Sequence, residues 1–152
     1  MLDGNEYVDV SELRDPALCR LHAEWQKRRN GRAFPSRGDF DPIDMKYILG
    51  KLSLIEVHRH PLRFFFRVHA GKAAEHLSFD LTGKFLDDYP DRKHRDLIRD
   101  HFIRVVAEGV PLLVRRDAQA TDNHLLHCEG IVLPLATDGR SVDMLMTGSV
   151  WG

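Results

Sequence analysis

Cysteine is scarce in this chain: Cys19 and Cys128 are the two thiols in 152 residues, and they form no CxxC pattern. A disulfide scaffold is thereby excluded, and two separate thiols in a reducing compartment behave as small buried hydrophobes, so they are expected to be unlinked. No apolar run approaches the roughly 20 residues that a bilayer requires. The first residues, Met1-Leu2-Asp3-Gly4-Asn5-Glu6, are acidic where a secretory leader is basic and then apolar. The expectation is a soluble, cytoplasmic protein with no membrane partner. Charge of one sign is also lacking, since 22 Lys+Arg stand against 23 Asp+Glu for a formal net charge of -1. No global field draws the chain to nucleic acid, and none is expected as a partner. Gly-rich phosphate loops, a Ser-His-Asp order, paired-carboxylate motifs, internal repeats and low-complexity tracts are all missing.

What is present suits one domain. At 152 residues and 43% hydrophobic, the chain can bury a core without staples. Residues 1–14 read as an N-terminal tail and residues 15–152 as the domain. Asp15-Pro16 places a carboxylate at an N-cap and proline at the first helical position. Ala17, Leu18, Leu21 and Trp25 follow at helical spacing up to Asn30-Gly31, which predicts an amphipathic helix over about residues 15–30. A short second helix is expected after Asp41-Pro42. Two apolar runs, Leu52 to Val57 and Phe64 to Val68, flank His60-Pro61 and predict a β-hairpin. A helical stretch follows, with Ala73, Ala74 and Leu77 in one short helix and Leu97 to Val106 in a longer one stopped by Gly109. Three β-rich runs close the chain: Leu112 to Val114, Leu125 to Leu135, and Val142 to Trp151. The order predicts an α+β fold: a five-stranded antiparallel sheet, a helical insert between the second and third strands, and the N-terminal helix on the other face. Successive apolar residues at Phe64-Phe65-Phe66 and Met144-Leu145-Met146 imply a sheet covered on both faces.

Several short strings occur in an order that resembles the PAS fold, in particular short stand-alone bacterial PAS proteins. These are Arg14-Asp15-Pro16, Trp25, Gly31-Arg32 with Pro35-Ser36-Arg37, Asp41-Pro42, Phe66-Arg67-Val68 with Ala70-Gly71, Asp80-Leu81-Thr82-Gly83-Lys84, and Leu133-Pro134-Leu135 with Asp138-Gly139. The resemblance runs from about Leu13 to Val150. That branch usually has glycine near the position of Ser78 and threonine where Lys72 stands. The resemblance implies a non-catalytic sensory or regulatory module in bacterial signalling, with a small-molecule cavity between sheet and helices and often a homodimer. Its output would be a ligand-biased contact with a protein partner. A degenerate adaptor or dimerisation module with a filled core is the neighbouring alternative.

Three groups of residues carry candidate chemistry. His101 lies two helical turns from His94 on the stripe of Leu97, Ile98 and Val105, so it is expected to face the cavity; haem ligation through it is the one cofactor option the resemblance raises, and no cofactor is assigned. Arg67, between Phe66 and Val68, must reach an acid such as Glu56 or Asp143, or an anionic ligand. The string His124-Leu125-Leu126-His127-Cys128-Glu129 looks like a metal or nucleophile site, but on a strand its histidines face opposite ways. Its His124 and Cys128 stand about 13 Å apart. A small enzyme using His101, Arg67 or this string is the reading from a different class. The candidate cavity set is Phe66, Arg67, Leu77, His101, Met144 and Met146. Leu18, Leu21 and Trp25, each worth roughly 1.5–3 kcal/mol when buried if large, form the candidate dimer interface.

Overall fold

A computed structural model describes residues 5–119 and 125–152. Nine elements of helix and strand organise it: β1 (Asn5–Val8), α1 (Pro16–Arg28), β2 (Leu52–His58), β3 (Arg63–Val68), α2 (Gly71–Leu77), α3 (Arg92–Glu108), β4 (Leu112–Gln119), β5 (Leu125–Leu135) and β6 (Met144–Trp151). The sheet order is β1-β4-β5-β6-β2-β3, and every neighbouring pair is antiparallel. The five expected strands are there, with the helical segment between β3 and β4. A sixth, β1, comes from the stretch read as a tail and adds to the edge at β4, Tyr7 opposite Val114. Its four residues carry no hydrophobic alternation long enough to signal a strand.

The caps set where the helices stand. Asp15 Oδ1 accepts from the Ala17 and Leu18 N–H groups at 2.9 and 3.1 Å, with Pro16 at the first position of α1. Asp91 accepts from His94 N–H at 3.3 Å to start α3, and Gly109, at φ 67°, ends it in the left-handed conformation that glycine adopts freely. Ser78 closes α2 at φ 56°. That left-handed conformation is one a glycine adopts freely and a serine adopts at a cost. The expected second helix is one 3₁₀ turn, Pro42–Met45.

Strand register assigns the faces. On one side lie Ser53, Ile55, Phe64, Phe66, Val114, Arg116, Cys128, Gly130, Val132, Leu145, Thr147, Ser149 and Trp151, with α2 and α3 above them. Phe102 of α3 meets Phe64 edge-on and Phe66 at a tilt, with ring centroids 5.2 and 6.0 Å apart. On the other side lie Leu54, Glu129, Ile131, Leu133, Leu135, Met144, Met146 and Gly148, beneath α1. Leu18 and Leu21 are fully buried there, and Trp25 is 3% exposed. The helix comes close because Gly148 has no side chain: a Cβ at that position would sit 2.8 Å from Leu18 Cδ2 and 3.1 Å from Leu21 Cδ2.

Two expectations are corrected by this arrangement. Leu18, Leu21 and Trp25 are buried within their own chain, so they do not offer a free interface to a second copy. The strand phase of β6 is the reverse of the one assumed, which puts Met144 and Met146 under α1 and Leu145 and Trp151 toward α3. A run that is apolar at every residue does not reveal which alternate set faces which helix. Among the described residues, no helix is long and apolar enough to cross a membrane.

Candidate functional site

Between the sheet and the pair α2/α3 lies a cavity of about 110 Å³. Its roof is Ala73 and Leu77 from α2 and Ile98, His101 and Phe102 from α3; its floor is Phe66, Val114, Arg116, Cys128, Gly130, Val132, Thr147, Ser149 and Trp151 from the strands. Space exists because Gly130 sits mid-floor without a side chain. A Cβ placed there would project toward the Gly148 carbonyl (3.4 Å) and Ser149 Oγ (3.6 Å), both at ordinary contact distance. One end is closed by the β3–α2 junction. Ala70 N–H donates to Ser53 Oγ at 2.8 Å, His69 N–H donates to Thr82 Oγ1 at 3.0 Å, and Leu81 N–H donates to His69 Nδ1 at 3.0 Å. These bonds satisfy the buried backbone where the chain leaves the sheet.

The polar groups of the wall are held in particular protonation states by burial. His101, 8% exposed, has its imidazole pushed down to about 4, first by desolvation and then by the nearby charges of Arg116 and His94. Cys128, on the floor, has its thiol pushed up to about 11, again mainly by desolvation. His69 is also lowered by burial, against a weaker opposing pull from Asp80. Near neutral pH all three are uncharged. Because Nδ1 of neutral His69 accepts from Leu81, its proton is on Nε2. Trp151 stacks on His76, with centroids 4.5 Å apart, and the Arg116 guanidinium stands 5.4 Å from the Trp151 ring. The Trp151 indole N–H is buried and has no acceptor among the described residues.

Of the residues singled out from the sequence, Phe66, Leu77 and His101 line this cavity together. Arg67, Met144 and Met146 do not. Arg67 is on the opposite face near the sheet edge, its side chain 55% exposed and its Nε 3.5 Å from Glu56 Oε2, the acid pairing that an arginine on an apolar strand requires. Arg67 and Met144 border a separate shallow surface groove with Glu56, His58 and Asp143.

The His124 to Glu129 string is divided by strand alternation: Cys128 faces the cavity, Glu129 faces α1, and His127 is exposed. His124 lies outside the described residues. Among the described residues no group of three or more His, Cys, Asp or Glu side chains could hold a metal ion. Cys19 and Cys128 are free thiols, and Cys19 is exposed on α1 rather than buried, its Sγ 3.3 Å from the Leu13 carbonyl. Ser53, His69, Arg116, Cys128, Ser149 and Trp151 were not legible as cavity residues. For Arg116, Cys128, Ser149 and Trp151 the signal is the alternation of β4, β5 and β6, which becomes readable once Gly148 fixes the side that α1 covers.

Residues 13–150 match the family model described as PAS domain. No curated protein matches the chain. Among solved structures, the Vibrio cholerae VqmA dimer, a LuxR-type receptor in the absence of its target DNA, is similar with a TM-score of 0.50 and 13% identity, covering 68% of this chain and 46% of that one. An RNA-binding light-oxygen-voltage receptor is similar with a TM-score of 0.44 and 14% identity, covering 97% of this chain and 38% of that one. The chain thus spans less than half the length of either.

Proposed function

The chain belongs to the PAS domain family, and from that premise we propose that it is a sensory or regulatory module that takes a small molecule into the cavity beneath α2 and α3 and passes its occupancy to a protein partner. The observation that carries this reading is the cavity itself: concave, mostly apolar, and edged by a few convergent polar groups. Its size supports a ligand of fragment dimensions. At about 110 Å³ it lies well below the roughly 300–1,000 Å³ of drug-sized sites, and it does not fit a haem or a flavin.

Binding without turnover is the reading the side chains favour. A nucleophilic cysteine requires a lowered thiol pKa beside a cationic imidazole. Here burial drives Cys128 up to about 11 and His101 down to about 4, so the thiolate–imidazolium pair is disfavoured on both sides. A balanced net charge of -1 supports a protein rather than a nucleic acid as the partner. A second copy of the chain would have to dock on surfaces other than Leu18, Leu21 and Trp25.

The test is a panel of fragment-sized molecules, neutral and charged, read by thermal shift and native mass spectrometry on the wild type and on Gly130→Leu. The leucine fills the floor of the cavity from a position where a Cβ meets ordinary contacts. Stabilisation of the wild type by some panel members, abolished in Gly130→Leu, is the expected outcome. Equal responses in both proteins, or none in either, would overturn the reading.

A further inference from the structure

The end of the cavity at the β3–α2 junction presents two buried donors for which the described residues supply no strong acceptor. His69, whose side chain is 4% exposed, lines that end. Its Nδ1 accepts from Leu81 N–H at 3.0 Å, so the ring proton is on Nε2. The other neighbours of the ring leave that proton unclaimed. Asp80 Oδ1 comes no nearer than 3.9 Å, to Nδ1, and the Phe66 ring, edge-on at 5.1 Å between centroids, is only a weak acceptor. Ser53, 3% exposed, lines the same end, and its Oγ accepts from the N–H of Ala70, the residue after His69, at 2.8 Å. A hydroxyl that accepts keeps its own O–H to donate, and among the described residues no acceptor meets it.

Two donors at one end call for an oxygen that accepts and does not donate. A carbonyl oxygen has two lone pairs and no hydrogen. An alcohol brings an O–H of its own to an end where both groups donate, so it gains less. A carboxylate accepts as well, but His69 and Ser53 are neutral, and a buried anion held by neutral donors alone is costly. Arg116 does not supply that charge here: it is on β4, three places across the sheet from Ser53 on β2, and is already engaged within the fold, in part by the Trp151 ring. The remaining walls are hydrocarbon, from Phe66, Leu77, Ile98 and Phe102. Size narrows the choice further. A cavity of about 110 Å³ is smaller than the roughly 150 Å³ space that holds a benzene ring, which limits the body to a few carbons.

We propose that the cavity is a receptor site for short neutral carbonyl compounds of the ketone and ester type, with the carbonyl oxygen accepting from His69 Nε2–H and Ser53 O–H and the alkyl groups against Phe66, Leu77, Ile98 and Phe102. The assignment rests on the cavity being the ligand site and adds the chemical class. The ligand gives two buried donors the acceptor they otherwise lack, and its alkyl groups need nothing from the walls but contact.

The experiment uses the full chain and 2-butanone carrying a carbon-13 carbonyl, with 2-butanol as the alcohol of the same skeleton and sodium butyrate as the anion. 2-Butanone should raise the melting temperature in a saturable way, and 2-butanol and butyrate should bind at least about threefold more weakly, the lower range for one hydrogen bond. The carbonyl resonance of the bound ketone should show a hydrogen-bonded oxygen, downfield of its position in hydrocarbon solvent. His69→Asn keeps a side-chain acceptor for Leu81 and withdraws the Nε2–H, and Ser53→Ala removes the O–H. Each should weaken 2-butanone about threefold to tenfold and move the bound carbonyl resonance toward its hydrocarbon value. Should either variant fail to fold, the wild-type resonance and the ranking of the three compounds carry the test. 2-Butanol or butyrate binding as tightly as 2-butanone, or a bound carbonyl with its hydrocarbon resonance, overturns the assignment, as does a resonance unmoved in both variants. If other fragments bind the wild type and not Gly130→Leu while 2-butanone does not bind, the carbonyl assignment falls and the cavity reading survives. If nothing binds, both fall.

Discussion

The indole N–H of Trp25 donates to the carbonyl of Pro134 at 2.8 Å, joining α1 to β5 across 109 residues of chain. The bond resolves a difficulty posed by a proline inside an inner strand. β4 pairs with β5 only as far as Leu112 opposite Val132, so beyond that point β5 has a local edge. Pro134 stands at this edge, where its missing N–H breaks no ladder and its carbonyl is taken by Trp25. Ala136 N–H, next on the same side, donates to the Pro35 carbonyl at 2.9 Å.

From this docking it follows that α1 belongs to the core of its own chain. Leu21→Ala should cost about 2–5 kcal/mol, the range for a truncated buried leucine, and Trp25→Phe about 1–3 kcal/mol for a buried carbonyl left without its donor. Urea denaturation measures both, and sedimentation of the same samples should find the mass unchanged. A variant that changes oligomeric mass while keeping wild-type stability would return these residues to an interface.

The contact between Gly148 and Leu18 gives a reciprocal prediction. Gly148→Ala places a methyl 2.8 Å from Leu18 Cδ2 and should destabilise by about 1–3 kcal/mol through overpacking. Leu18→Ala alone leaves a cavity. The double variant should lose less than the sum of the two, because the new methyl occupies space that the leucine vacates. Strict additivity in a double-mutant cycle would show that α1 does not press on β6 at this point.

Much of this fold was legible because its local signals agree. Asp15-Pro16 starts α1, Gly109 ends α3, and the apolar runs are the strands. Two things were hidden for one physical reason. A sheet covered on both faces has no polar side to mark its phase, so Met144-Leu145-Met146 fitted either orientation and the cavity set drew Met144 and Met146 from the wrong one. His101 was legible, since a helix stripe is defined by its own period. Arg116 and Trp151 were not, because a charged residue and a terminal tryptophan resemble solvent-facing and lid-covered residues until β4 and β6 are in register. β1 is set by pairing with β4, a partner more than 100 residues away, which no local pattern encodes.

Stability should fall in mild acid, and His101 should account for part of the loss. In the unfolded chain its imidazole titrates near 6.5, while in the fold burial holds it down to about 4. Between those values the unfolded state binds a proton that the native state does not. Stability therefore decreases as the pH falls from about 6.5 toward 4, by on the order of 3 kcal/mol at the lower limit. His22 and His69, also lowered by burial, act in the same direction. The lowered carboxyls of Asp39 and Asp87 add to the loss at still lower pH, as it falls below their unfolded value near 3.8. His101→Gln should flatten the profile between pH 6.5 and 4.5 in guanidinium melts. An unchanged slope would show that His101 is protonated in the native state.

Glu129 is the residue whose role the sequence obscured most, and its substitution is the sharpest structural test. Placed beside His127 and Cys128, it resembled part of a metal or nucleophile string; strand alternation turns it the other way, toward α1. Its carboxylate, 12% exposed, accepts the Asp15 N–H at 2.8 Å and the Arg14 N–H at 3.2 Å, and lies 3.2 Å from both Nε and Nη2 of Arg115. Arg115 Nη2 in turn donates to the Glu12 carbonyl. One carboxylate thus ties β4 and β5 to the backbone that enters α1, just ahead of the Asp15 cap. Removing it strands two backbone donors and a guanidinium that is itself only 19% exposed. Glu129→Ala should cost about 3 kcal/mol, with hydrogen exchange rising first in the opening turn of α1. Glu129→Gln should recover part of this at most, since its amide nitrogen would face donors. Adding Arg115→Met to Glu129→Ala should restore some stability by removing the uncompensated charge. His127→Ala, exposed on the same strand, should stay within about 0.5 kcal/mol of wild type. Were Glu129→Ala as stable as His127→Ala, with unchanged exchange at Ala17 and Leu18, the anchoring of α1 through Glu129 would be refuted.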